Sequence, residues 1–235
     1  MTEEIRGLVA AASRVLGAAG HGDLIWGHAS ARDAGDRGAW MKQTNWGMEE
    51  ITPDRVHLVG PDGTVRVGDG PRHSEYPIHT EILAARPDVG GVVHTHSRYA
   101  VALAATGQPL RPVSHEANFF APQGVPRFTG TADLILTPEL GKEVAGALGD
   151  ASALFLVNHG IVCVGPDLPS AVVTAILLDR ACQQQILTHQ AGGWATWTCD
   201  EESLAKREHV YGNGTALYPV WDYLVRQLAA DQELL

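Results

Sequence analysis

Gly90-Gly91-Val92-Val93-His94-Thr95-His96-Ser97 is the stretch from which the rest of the chain is read. Its valine-rich run predicts a buried strand, and in a strand residues i and i+2 leave from the same face, so His94 and His96 converge on one spot. Two histidines closing an apolar strand also have a purely structural reading, and their spacing alone leaves both open. Two further residues turn the balance toward chemistry. Glu75 lies upstream in His73-Ser74-Glu75-Tyr76-Pro77, and a third histidine follows in Leu156-Val157-Asn158-His159-Gly160. Three neutral imidazoles beside one carboxylate suit a catalytic divalent cation, because imidazole ligands leave the 2+ charge undiminished and a position stays open for substrate. His94, His96 and His159 are therefore the expected metal ligands.

The bulk properties bound what such a site can serve. With 235 residues, 45% of them hydrophobic, the chain predicts a single domain over 1–235, of which 191–235 form a C-terminal tail and helix. The net charge is −10, and the 17 Lys and Arg residues are scattered, which argues against nucleic acid and anionic membrane surfaces as partners. The first twenty residues carry Glu3 and Glu4 and then an amphipathic pattern, and no stretch of 18 apolar residues occurs, so a soluble cytoplasmic protein is expected. Cys163, Cys182 and Cys199 are odd in number and lack a C-x-x-C pair, which reads as reduced thiols.

Helical periodicity from about Glu3 to Ala19 puts Ile5, Leu8, Val9, Ala12, Val15 and Leu16 on one face, with Gly20 as its stop. Strand-like pieces follow at Leu24 to Ser30, Ala39 to Lys42, Val56 to Val59 and Thr64 to Val67, separated by turn signals such as Pro61-Asp62-Gly63. Pro77 opens a helix to about Arg86, and Ser97 is placed to cap another to Ala105. Next come a strand at Arg111 to Ser114, a Pro-rich loop through Pro126, and a helix with Thr137 as its cap and Pro138 in its first turn. Apolar runs at Leu154 to Val157 and Ile161 to Val164 bracket Asn158-His159-Gly160, and a long helix spans about Pro169 to Gln190. A loop carrying Trp194 and Trp197 then leads to a last helix at about Ala216 to Ala229. Helices and strands interleave, but hairpin-length turns join the middle strands. That predicts an α/β/α sandwich around a largely antiparallel sheet.

Glu75 sits where a helix begins, a place that favours a carboxylate through the helix dipole alone. Beside a metal and partly desolvated, the same group is suited to shuttle protons. His159 has a core reading as well, but Gly160 after it permits a turn or a close approach at a strand end. Cupin-type oxygenases place a Glu shortly after their His-X-His pair, and Ser97-Arg98-Tyr99-Ala100-Val101 offers none. Metal-dependent amidohydrolases place the pair early in a barrel of roughly 250 residues, and too little chain remains here. Neither a phosphate-binding glycine loop nor G-x-S-x-G is present.

Glu75, Pro87-Asp88-Val89, Val92-Val93-His94-Thr95-His96-Ser97 and Asn158-His159-Gly160, in this order and spacing, resemble the class II aldolase/adducin family from about Ile5 to Gln190. The resemblance implies an α/β/α sandwich, usually a homotetramer with active sites between subunits, with His94, His96 and His159 matching the metal ligands and Glu75 the acid/base carboxylate. With all ligands imidazole, Zn2+ or Mn2+ is the expected ion, Co2+ and Fe2+ being compatible.

The departures from the family pattern point to the substrate. Its sugar-phosphate aldolases and 4-epimerases hold phosphate with Gly-Asn-x-Ser, a Ser-Gly pair after Thr-Pro, and Ser-Ser before the carboxylate. Here those places read Gly27-His28-Ala29-Ser30, Thr52-Pro53-Asp54-Arg55 and His73-Ser74-Glu75. An Asp in a phosphate nest repels the ligand and loses the backbone access that Gly permits. The aldolase tyrosine falls near His115-Glu116, where no Tyr stands. With Pro112-Val113-Ser114-His115-Glu116, the set looks like the branch of metal-dependent decarboxylases of hydroxylated aromatic dicarboxylates, among them dihydroxyphthalate and hydroxymethylpyridine-dicarboxylate enzymes. The resemblance implies a carbon–carbon lyase whose metal stabilises a phenolate-type intermediate, with Glu75 and His115 as catalytic residues and His28, Ser30, Arg55, His73 and Ser74 binding a small aromatic carboxylate. An aldolase or 4-epimerase acting on a sugar phosphate or sugar acid is the alternative. A non-catalytic adducin-like module is a third reading, against which the intact histidine set weighs.

Overall fold

The computed structural model describes residues 2–212 and 215–233. Its strands are β1 (His28–Arg32), β2 (Ala39–Lys42), β3 (Val56–Val59), β4 (Val65–Val67), β5 (Gly91–Thr95), β6 (Arg127–Phe128), β7 (Ala153–Leu156) and β8 (Gly160–Gly165). They form one sheet in the order β4-β3-β2-β1-β5-β8-β7-β6. Every pairing is antiparallel except β6 with β7 at one edge. The helices are α1 (Thr2–Leu16), α2 (Tyr76–Ala85), α3 (Arg98–Ala105), α4 (Pro138–Leu148), α5 (Leu168–Gln190), α6 (Asp200–Tyr211) and α7 (Leu217–Glu233). Among the described residues no helix is long and apolar enough to cross a membrane.

The central strands are apolar on both faces because both faces are covered. Val93, Ile161 and Cys163 pack with residues of α1, α3 and α5, while Val92, Val162 and Val164 pack with α2 and α4. This is the expected three-layer α/β/α sandwich, and its alternation decides where the histidines go. His94 shares the face of Val92, and His28 and Ser30 share theirs, so all three side chains look toward the layer of α2. The register then pairs His28 directly with His94 and Ser30 with Val92.

Several expected elements are corrected by local physics. The strand expected from Leu24 starts only at His28, since Leu24 and Gly27 take positive φ values of 51° and 75° and Trp26 N donates to Asp23 O in a turn. Ser97 precedes α3, but its side chain does not cap it. Asp179 of α5 accepts from Tyr99 N and Ala100 N instead, each at 3.1 Å, a stronger charge-assisted cap. Arg111 to Ser114 is not a strand: its backbone bonds go to the Gln185 amide, which accepts from Arg111 N, to a tight turn in which Val113 N donates to Arg111 O, and to Thr198 N, which donates to Pro112 O. α6 replaces part of the expected loop; it is a charged helix without an apolar stripe, and its signal is the acidic first turn Asp200-Glu201-Glu202. β6 emerges from the Pro-rich loop as an edge strand of two residues.

Candidate metal centre

β5 carries His94 to its buried end, and His96 follows one residue beyond it. Leu156 ends β7, and the turn to β8 passes through Asn158, whose φ of 61° is left-handed, as Asn tolerates. Gly160 opens β8 where a side chain has no room: a Cβ there meets Thr95 O at 2.7 Å, His96 Cδ2 at 2.8 Å and His94 Cε1 at 3.0 Å. The glycine thus lets the third histidine approach the first two. Ring centroids of His94, His96 and His159 lie 5.0 to 5.3 Å apart, and one ligand nitrogen from each falls within 4.8 Å of the others.

The hydrogen bonds say which nitrogens are offered. His94 Nδ1–H donates to Ile161 O at 3.0 Å, and His96 Nδ1–H donates to Asp23 Oδ2 at 3.0 Å. Each Nε2 is left as a lone pair, the arrangement that metal-ligating histidines adopt. The Nε2 atoms of His94, His96 and His159 are buried and have no hydrogen-bond partner. Unpaired buried polar atoms of this kind are costly unless something binds them. The set therefore fits a divalent cation. Burial, then the neighbouring imidazoles, pushes His94 well below the usual histidine range. Burial, then His96, brings His159 down to about 4. Both rings are neutral at physiological pH, as ligands must be.

Glu75 precedes α2 and reaches over the cluster. Its Oε1 accepts from Ile135 N at 2.8 Å and lies 3.5 Å from His159 Nε2. Oε2 lies 3.7 Å from His94 Nε2 and 3.9 Å from His28 Nε2. Burial raises the pKa of this carboxyl group, opposed by the Ile135 hydrogen bond. His28, Glu75 and His94 form a second set compatible with a cation.

The expected substrate residues divide. His28 and His73 are buried with ring centroids 4.0 Å apart, and both nitrogens of His73 have no partner. Ser30 is committed to His79, its Oγ 2.6 Å from His79 Nδ1. Ser74 is exposed. Arg55 is held elsewhere, its guanidinium donating to Glu50 O and stacking 3.5 Å above the Trp46 ring. His115 is exposed beside Tyr211, ring centroids 6.0 Å apart, and is not grouped with the metal histidines. A cavity of about 750 Å³ lined by residues such as Arg86, Tyr211 and Tyr218 contains none of these histidines.

Three residues of the centre escaped the sequence reading. Asp23, in the loop before β1, holds His96 from behind. His79 follows Glu75 by one helical turn, a spacing that puts both on one face of α2. Lys42 is fully buried, its Nζ donating to Trp46 O at 2.7 Å and Ile25 O at 3.1 Å. Burial lowers its pKa to about 8, against the pull of Glu49 and Glu50. The charge of Lys42, after burial, helps to bring His73 down to about 3.

The comparisons agree with this architecture. The chain is 32% identical over 202 residues to a 3,4-dihydroxyphthalate decarboxylase from Rhodococcus jostii, covering 81% of this chain and 83% of that one. It is 30% identical over 194 residues to a 5-methylthioribulose-1-phosphate/5-deoxyribulose-1-phosphate aldolase from Rhodospirillum rubrum, covering 81% and 85%. The crystal structure of an aldolase II superfamily protein from Pseudomonas syringae superposes with a TM-score of 0.86 at 30% identity, over 97% of this chain and 93% of that one. A profile of the class II aldolase and adducin N-terminal domain matches residues 7–186, and this chain belongs to that family.

Proposed function

We propose that the protein is a divalent-metal-dependent lyase that releases CO2 from a hydroxylated aromatic or heteroaromatic dicarboxylate. One observation carries the reading: beside Glu75, the buried and incompletely partnered imidazoles of His28 and His73 stand at positions where the family's phosphate turn has Asn and Ser. Imidazole N–H groups in a desolvated pocket suit a carboxylate. The similarity to the dihydroxyphthalate decarboxylase supports this substrate class. The similarity to the methylthioribulose-phosphate aldolase makes retro-aldol cleavage of a sugar phosphate the competing reading.

His94, His96 and His159 would hold the ion. When bound there, a divalent cation such as Zn2+ or Mn2+ supplies Lewis acidity to the hydroxyl oxygen beside the departing carboxylate. Asp23 and the Ile161 carbonyl fix two of the three rings. CO2 leaves as a neutral molecule, so the electron pair of the broken C–C bond stays on the ring and only the vacated carbon needs a proton. Glu75 supplies it from Oε2, while the Ile135 N–H anchors Oε1. Burial raises the pKa of this carboxyl group, in the direction that favours a proton donor. A homo-oligomer, a tetramer or larger, is part of the proposal, and in it His115 is offered to the metal histidines of a neighbouring copy.

The test is CO2 release by protein loaded with Zn2+ or Mn2+, assayed against dihydroxyphthalates, hydroxypyridine dicarboxylates and sugar phosphates. Turnover of an aromatic acid with stoichiometric CO2 is expected. Cleavage of sugar phosphates alone overturns the reading in favour of the aldolase.

A further inference from the structure

Behind His28 lies a row of buried polar groups that take no part in the proposed loss of CO2. Ser30 Oγ is 2.6 Å from His79 Nδ1, and His79 Nε2 is 2.6 Å from His28 Nδ1. All three side chains are fully buried. Their placement follows from the fold: His28 and Ser30 are neighbours on one face of β1, and His79 descends from α2 one turn after Glu75.

Two ring nitrogens at that distance share one proton: two protons clash, and none leaves two lone pairs opposed. Both rings are fully buried and hydrogen-bonded to each other, a setting that disfavours an imidazolium, so each ring carries a single N–H. Only two proton arrangements remain, and each runs the whole length of the row. In the first, Ser30 Oγ–H donates to His79 Nδ1, His79 Nε2–H donates to His28 Nδ1, and His28 carries its proton on Nε2. In the second the direction reverses, His28 Nε2 is bare, and Ser30 only accepts. Among the described residues Ser30 Oγ has no other hydrogen-bond partner, so the second arrangement strands a hydroxyl proton in a fully buried place. In its ionised form the Glu75 carboxylate, 3.9 Å from His28 Nε2, also favours a proton there.

We propose that His79 is a positioning residue: together with Ser30 it locks His28 as the Nε2–H tautomer, making His28 a hydrogen-bond donor to an anionic substrate and barring it from the metal. Adjacent rings in one site then hold opposite tautomers, His94 with a bare Nε2 set by Ile161 and His28 with a protonated Nε2 set by His79. This also decides between the two possible ligand sets, since the one containing His28 and Glu75 requires the lone pair that the row removes. The donor role deepens the proposed function and rests on its anionic substrate; the tautomer does not.

The experiment reads the tautomer directly. Protein labelled with 15N-histidine and loaded with Zn2+ is examined by long-range 1H–15N correlation, and its affinity for phthalate, a carboxylate probe without a chelating hydroxyl, is measured alongside zinc content. The wild-type protein is expected to show His28 protonated on Nε2. His79→Met removes the donor and should let the Nδ1–H form of His28 appear, weaken phthalate binding on the order of tenfold, and leave the zinc content unchanged. His79→Gln keeps an amide donor and should restore the tautomer and the affinity. Ser30→Ala, the smaller change, should shift the tautomer in the same direction and serves if the Met variant does not fold. A bare Nε2 on His28 in the wild type, or a tautomer unmoved in both His79→Met and Ser30→Ala, overturns the proposal. The tautomer is read whether or not any acid loses CO2, so failure of the decarboxylase reading is seen separately.

Discussion

The Asp23 carboxylate holds His96 from behind, its Oδ2 3.0 Å from the ring Nδ1. A carboxylate in this place fixes the ring's orientation and raises the basicity of the nitrogen that faces the metal. Asp23→Ala should weaken zinc binding by about 10- to 100-fold with little change in folding, and Asp23→Asn should lose less because an amide oxygen still accepts. Competition with a chromophoric chelator measures both. Equal affinity in Asp23→Ala and wild type contradicts this role.

Gly160 is predicted to be intolerant of even one methyl group. A Cβ there stands 2.8 Å from His96 and 3.0 Å from His94, with the Thr95 carbonyl at 2.7 Å. Gly160→Ala should destabilise the protein by about 1–3 kcal/mol through overpacking and lower its metal affinity at the same time. Gly146, inside α4 with open space around it, is the control. Gly146→Ala should stabilise by about 0.5–1 kcal/mol, since alanine replaces the poorer helix former. Urea unfolding of both variants separates crowding at the centre from a general response to alanine.

Glu75 and His159 should fail in different ways. His159→Ala should strip most of the metal, whereas Glu75→Gln should keep it and lower kcat by about 10²- to 10⁴-fold, or ~3–5 kcal/mol of barrier. Metal content and turnover measured on the same samples distinguish the two. A Glu75→Gln enzyme of wild-type rate reduces Glu75 to a residue that merely starts a helix.

Acid should unfold the metal-free protein by protonating buried histidines. Burial brings His21 down to about 4 and His73 and His79 to about 3, against an ordinary value of 6.5. Between those limits the unfolded chain binds protons that the folded chain refuses, so stability is present above pH 6.5 and falls as the pH drops through this window. For three groups the slope approaches about 4 kcal/mol per pH unit. Urea midpoints measured from pH 7.5 to 4.5 should fall steeply below pH 6.5, and a flat profile contradicts buried neutral histidines.

The sandwich and the three convergent histidines were legible because they rest on local patterns: apolar strands of period two, a His-X-His pair at a strand end, and an Asn-His-Gly turn. What supports them was not. Asp23 is one acid among many until the left-handed Leu24 turn lays it under His96. His79 looks like any polar helix residue until the register of β1 against β5 sets His28 and Ser30 beneath it. Arg55 looked like an anion-binding residue by its place after Thr-Pro, yet the Trp46 ring and the Glu50 carbonyl hold its guanidinium. Lys42 reads as the polar last residue of a short strand; β1 and β3 flank β2, and the Ile25 and Trp46 carbonyls receive its ammonium. Each of these depends on contacts distant in the chain, which spacing alone does not carry.

Product analysis in D2O tests the central claim most directly. Metal-loaded protein given 3,4-dihydroxyphthalate should release CO2 in proportion to substrate consumed and place one deuterium on the vacated ring carbon, seen by NMR of the product. No CO2 from any hydroxylated aromatic dicarboxylate, together with cleavage of a sugar phosphate to an aldehyde and a ketone phosphate by the same preparation, contradicts it.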